Sequence, residues 1–213
     1  MISEAVKEEK KLKINPPIII VNFKAYAQAI GEHAIKLAEI VEDIANEYES
    51  ITFAIAVQPT DIFRVAQVVD KTLVFGQHID PIKPGAHTGS ILPEAIKLSG
   101  ASGTLINHSE RKLPIEAIEN AIKRAKEIGL ISVVCADTPE KSGLVAKFKP
   151  NFVAYEPPEL IGTGISVSKA KPDVLRAAVK IINESGNGIV IPLCGAGIST
   201  KDDVVKAFEL GTK

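Results

Sequence analysis

Tryptophan is absent from the 213 residues, methionine occurs once and cysteine only twice. Cys135 and Cys194 lie far apart, with neither metal-ligand spacing nor a disulfide framework, which excludes a structural zinc module and fits a reducing compartment. Neither sign of charge dominates, since 25 Lys and Arg against 26 Asp and Glu leave a formal net charge of −1. No nucleic acid or anionic membrane surface is therefore expected as a partner, and any anion must be held locally. No uncharged apolar run reaches the roughly 18 residues of a membrane span, and residues 1–13 alternate Glu and Lys without the apolar core of a signal peptide. Membrane spanning and secretion are disfavoured, and the cytoplasm is the expected location. No His pair has H-x-x-x-H spacing and no G-x-x-x-x-G-K-S/T loop occurs, so neither a metal nor a nucleotide cofactor is expected.

What is present is a hydrophobic content of 46%, enough for one domain with a substantial core. After Pro16-Pro17, residues 18–21 form a continuous apolar run, the pattern of a parallel strand buried on both faces. Residues 27–48 then space apolar side chains helically among charges. The alternation recurs, with strands expected at 51–57, 73–75, 103–107, 131–135, 152–155 and 189–194. Helices are expected between and after them at 61–69, 93–98, 114–128, 139–146, 172–184 and 201–210. Seven βα units without a linker between them make 16–213 one domain, preceded by a charged extension at 1–15. Seven units suit either a doubly wound sheet or an incomplete eightfold barrel. Asn22, Lys24, Asn107, His108, Glu156 and the 195–197 turn all fall at or just beyond C-terminal strand ends, where a barrel gathers its chemistry.

Glu156 opens the stretch Glu156-Pro157-Pro158-Glu159-Leu160-Ile161-Gly162-Thr163-Gly164, rigid at its start and glycine-jointed at its finish. That suits a base on a hinged lid, desolvated on closure, with amides near Gly162 reaching an anion; it also suits an ordinary surface turn. His108 follows a strand in Asn107-His108-Ser109-Glu110-Arg111, where Ser109 is placed to cap a following helix whose dipole would favour the neutral ring. Lys24 stands two positions after Asn22, so that in a strand both face the same way. Gly195, Ala196 and Gly197 lead from a strand into a helix and let a phosphate approach amides at the helix start. Each signal alone also has a plain structural reading.

Together, Val21-Asn22-Phe23-Lys24, Asn107-His108-Ser109-Glu110-Arg111, Tyr155-Glu156-Pro157-Pro158 with Ile161-Gly162-Thr163-Gly164, and Cys194-Gly195-Ala196-Gly197 resemble the triosephosphate isomerase family in order and strand placement. The resemblance runs from about residue 18 to the end and lies with the short archaeal branch. It implies a (β/α)8 TIM barrel that interconverts dihydroxyacetone phosphate and glyceraldehyde 3-phosphate without a cofactor. It implies that Glu156 is the base, that His108 shuttles protons between the two oxygens, that Lys24 stabilises developing charge, and that Asn22 orients this group. It further implies that Glu110 positions Lys24, that Gly162, Ala196 and Gly197 give amides to the phosphate, and that the chain forms a homo-oligomer, a tetramer rather than a dimer.

The chain departs from the widespread form of the family in having Asn107 where glycine precedes the histidine, in the Cys194-Gly195-Ala196-Gly197-Ile198 turn, and in lacking the lid tryptophan. The family also continues beyond the position of Lys213 with an eighth strand, loop and helix; without that unit the barrel is expected to lack a stave and to be unstable or poorly active. Two other readings stay open from sequence: a different phosphate-binding barrel, such as one acting on a phosphoribosyl intermediate, and a barrel that binds triose phosphates or a protein partner without turnover.

Overall fold

The computed structural model describes residue 14 and residues 16–213; the charged extension expected at 1–15 lies, apart from Ile14, outside the described residues. Seven parallel strands form one sheet in chain order: β1 (Ile18–Asn22), β2 (Thr52–Val57), β3 (Leu73–Gly76), β4 (Gly103–Ile106), β5 (Ile131–Ala136), β6 (Phe152–Tyr155) and β7 (Ile191–Cys194). Sequential order with every neighbour parallel is the topology of a curling barrel and not of a doubly wound sheet, whose strand order would reverse. Eight helices connect and flank the strands: α1 (Glu32–Glu47), α2 (Ile62–Ala66), α3 (Pro93–Leu98), α4 (Ile115–Glu127), α5 (Pro139–Ala146), α6 (Val167–Ala170), α7 (Pro172–Ser185) and α8 (Lys201–Glu209). No described helix is long and apolar enough to cross a membrane.

The continuous apolar runs follow from burial on both strand faces. Ala54, Phe75, Leu105, Val133, Cys135, Phe152 and Ala154 fill the inside of the curl. Their neighbours Ile55, Val57, Val74, Ile106, Val134 and Val153 face outward against the helices. Burying a side chain as large as Phe75 or Phe152 contributes about 1.5–3 kcal/mol relative to exposure. This alternation sets the chemistry, because extending the inward rows by two residues brings Asn22, Gln77, Asn107, Glu156 and Gly195 to the mouth. Among the described residues no strand joins β7 to β1, and β1 is correspondingly half-buried, with Val21 40% exposed.

Where element bounds differ from expectation, a left-handed residue or a turn explains it. The helix expected over 27–48 splits into a 3-10 turn, Ala27–Ala29, and α1, because Gly31 stands at φ 58. Strand β4 stops at Ile106 because Asn107 stands at φ 60. β7 begins at Ile191 rather than 189, since Gly188 is left-handed and the Ile189 amide donates to Gly186 O at 3.2 Å. The stretch after β6 holds two short elements that apolar spacing did not announce, the 3-10 turn Pro158–Leu160 and α6.

Candidate active site

A cavity of about 780 Å³ runs along β1 and α8 through the inside of the curl to the C-terminal ends of the strands, where Asn22, Lys24, His108 and Glu156 line it together with the Gly162 and 195–197 turns. Lys24 does not arrive there by strand alternation. The strand ends at Asn22, Phe23 packs outward into the helix layer, and Lys24 turns back at φ 52 with its amide donating to Asn22 Oδ1 at 3.0 Å. The same-face argument for Asn22 and Lys24 therefore fails for Lys24, because the pairing is made by a left-handed turn closed by the Asn22 side chain. Gln77 Nε2 donates to Lys24 O at 2.8 Å, and Gln58 Nε2 donates to Gln77 Oε1 at 2.8 Å. Both glutamines lie outside the residues expected at the site, although Gln58 and Gln77 each stand one residue past a strand end, where polar side chains reach the mouth. The Lys24 ammonium is 2.7 Å from Glu110 Oε1, which fixes its position across from β4.

Glu156 follows Tyr155 into the mouth on the inward row, its amide donating to Ala136 O at 2.8 Å. Its carboxylate is almost covered, and among the described residues Oε2 is buried without a hydrogen-bond partner. Burial pushes the carboxyl above its ordinary range; His108, the Cys135 thiol and Lys24 pull it back, and Glu110 adds to the rise. A buried, unpaired carboxylate oxygen is costly unless something arrives to meet it. His108 Nε2 stands 4.0 Å from that oxygen.

The ring of His108 is oriented by the chain just after it, since the Glu110 amide donates to Nδ1 at 3.2 Å. That bond requires an unprotonated Nδ1, so Nε2 carries the proton and points it toward the cavity. The helix expected to begin at Ser109 is not there: α4 starts at Ile115 with Pro114 before it, and Ser109 lies in a turn. No helix N-terminus therefore faces the ring; the Glu110 amide meets Nδ1 instead, with Glu110 Oε2 3.6 Å from the same nitrogen.

The anion side is built from backbone. Gly162, Gly164, Ala196 and Gly197 all have φ between 69 and 75. Among the described residues, the amides of Gly162, Ala196 and Gly197 make no hydrogen bond. The helix start expected to receive an anion is already occupied: Asp203 Oδ2 accepts from the amides of Ser199 at 3.1 Å and Thr200 at 2.9 Å, as part of the α8 capping box. Gly195 also differs from its expected part, because its amide donates to Tyr155 O at 3.0 Å. It supplies room instead, since a Cβ there would lie 2.4 Å from Glu156 Oε1. Both cysteines are buried enough that their thiols stay protonated; burial pushes Cys194 up to about 12 and Cys135 well up, the latter also through its contact with Glu156. Among the described residues no group of three His, Cys, Asp or Glu is arranged to hold a metal.

Comparison with known proteins places these features in company. A family model described as triosephosphate isomerase matches residues 17–212. The triosephosphate isomerase of Saccharolobus solfataricus is 48% identical over 198 residues, covering 93% of this chain and 86% of that protein. That of Methanobacterium bryantii is 49% identical over 197 residues, covering 92% and 86%. Among solved structures, the triosephosphate isomerase of Bartonella henselae superposes with a TM-score of 0.64 over 84% of this chain and 83% of that one; at 21% identity it speaks for the barrel fold alone.

Proposed function

This chain belongs to the triosephosphate isomerase family, in its short archaeal branch, and on that premise we propose that it interconverts dihydroxyacetone phosphate and D-glyceraldehyde 3-phosphate through an enediolate, with Glu156 as the base. The assignment of roles rests on the covered Glu156 Oε2, without a hydrogen-bond partner among the described residues and 4.0 Å from His108 Nε2. A substrate lying between them offers a carbon-bound proton to the carboxylate and a carbonyl oxygen to the imidazole N–H. Glu156 removes the proton beside the carbonyl and returns it to the neighbouring carbon, so the carboxylate is regenerated and nothing is consumed. As the enediolate forms, negative charge appears on the oxygens, where His108 Nε2–H donates and moves a proton from one oxygen to the other. The Lys24 ammonium, held by Glu110 and by the Asn22 turn, faces the same developing charge.

The phosphate is held by the amides of Gly162, Ala196 and Gly197, which supports tight anchoring of the end that does not react. Gly195 lets the base lie against the turn instead of donating to the anion. The reading calls for no cofactor, and its place in metabolism is glycolysis and gluconeogenesis in the cytoplasm. Exposed apolar side chains, among them Tyr26, Phe63, Leu98 and Ile189, support a homo-oligomer, and the likeness to the short archaeal branch favours a tetramer over a dimer. The test is a dehydrogenase-coupled assay on both triose phosphates. Turnover in both directions is expected; binding of a phosphorylated substrate analogue without turnover would replace the isomerase with a binding protein.

A further inference from the structure

Asn107 is where β4 leaves the sheet, and three features coincide on it. It is 4% exposed, it stands in the left-handed region at φ 60, and both ends of its side-chain amide are bonded to different segments. Nδ2 donates to Cys135 O at 2.7 Å, and Oδ1 accepts from the Leu113 amide at 2.8 Å. We propose that Asn107 is a positioning residue that sets His108 and Glu156 in register with each other, an inference that rests on their assignment as proton shuttle and base.

The backbone supplies the first half of this role. Ile106 faces the helices, and by strand alternation residue 108 would face them too. The left-handed turn at 107 breaks the alternation and sends the imidazole into the mouth. Asparagine is among the few non-glycine residues that take this conformation readily, so the turn and a functional side chain occupy one position. The side chain supplies the second half. Its bond to Leu113 closes the 108–113 loop that carries the histidine, and its bond to Cys135 ties that loop to the end of β5. The residue after Cys135 in turn holds the base, since the Glu156 amide donates to Ala136 O at 2.8 Å, and Asn107, Cys135 and Glu156 line one narrow void behind the site. Displacement of the loop would therefore move the histidine directly and the base through one intermediary. A further tie from the loop runs to the residue just after β5, Lys112 Nζ to Asp137 Oδ2 at 2.7 Å, with Lys112 exposed. An exposed pair of that kind holds geometry weakly, whereas breaking the amide clamp deprives the buried Cys135 carbonyl and the half-buried Leu113 amide of a partner.

Asn107→Gly keeps the left-handed backbone and deletes both clamps. Relative to wild type, kcat is expected to fall about 10- to 100-fold with KM changed by less than about twofold, because a misplacement of an ångström or less is amplified in the chemical step. Affinity for a phosphorylated hydroxamate that mimics the planar enediolate should weaken in step with kcat, while inhibition by inorganic phosphate stays unchanged. Should the glycine variant fail to fold, Asn107→Asp, which keeps the size and the acceptor for Leu113 but not the donor to Cys135, carries the same comparison. Wild-type kcat in the folded variant, or equal weakening of phosphate and hydroxamate, would overturn the proposal. Parallel assay of His108→Gln separates the two levels: full activity there defeats the underlying assignment, whereas an inactive His108→Gln beside a normal Asn107→Gly defeats the positioning role alone.

Discussion

The two sides of the mouth are built by opposite means. On the chemical side, Asn22, Lys24, Glu110, Gln58 and Gln77 hold one another through side-chain bonds, most of them from one strand end to another, and Asn107 ties the end of β4 to β5. On the anion side almost nothing depends on side-chain chemistry; left-handed turns at Gly162, Gly164, Ala196 and Gly197 leave amides free, and glycine is needed where the backbone passes close to a neighbour. A base and a proton donor must be placed to fractions of an ångström, which buried side-chain clamps achieve. A phosphate needs several donors at once and no reaction geometry, which a turn of amides provides. Damage to the first side should therefore appear in kcat, and damage to the second in KM.

The largest effect is expected from Glu156→Gln, which keeps the shape and removes the base. A loss of about 10²- to 10⁴-fold in kcat, with KM little changed, is the expected result of steady-state assays. The sharpest use of the comparison lies in two glycines of one turn. A Cβ at 195 would meet Glu156 Oε1 at 2.4 Å, so Gly195→Ala should depress kcat by displacing the base. A Cβ at 197 would lie 2.0 Å from Ile165 O on a residue at φ 69, so Gly197→Ala should raise KM and weaken phosphate inhibition. It should also cost about 1–3 kcal/mol of stability in denaturant titrations, from enforced left-handed strain. Equal effects of both variants on kcat and KM would erase the division between the sides.

The smallest effect is one of pH. The Glu156 carboxyl is raised above its ordinary 4.5 by burial, so the folded chain keeps its proton to higher pH than the unfolded chain. Stability from this group is complete below about that ordinary value and declines as pH rises through the raised one. Glu156→Gln never ionises, so its melting temperature should exceed that of wild type at neutral pH and converge with it near pH 4. The same ionisation makes kcat/KM of the wild type fall as pH drops through a value above the ordinary carboxylate range.

The seven strands and the strand-end positions of Glu156 and His108 were legible because apolar runs buried on two faces are local in sequence. The means of holding them were not. That Gln77 donates to Lys24 O and that Asn107 bonds Cys135 O are facts of register between segments distant in the chain, and that Asp203 takes the Ser199 and Thr200 amides ahead of α8 is a detail of local geometry. Lys24 illustrates the point, since its spacing from Asn22 suggested a shared strand face, whereas a left-handed turn brings it to the site. Gly195 and Gly197 look alike in sequence, yet only Gly197 is left-handed, only Gly195 donates its amide to Tyr155 O, and an added side chain would strike Glu156 at one and the Ile165 backbone at the other.

The central claim, that Glu156 moves a carbon-bound proton, is tested most directly by turning over glyceraldehyde 3-phosphate in D2O and following the sugar carbons by proton NMR. Wild type should place deuterium from solvent on the carbon that gains a proton, and Glu156→Gln should give neither product nor label at a comparable enzyme concentration. Isomerisation by Glu156→Gln at the wild-type rate, with the same labelling, would contradict the assignment of the base.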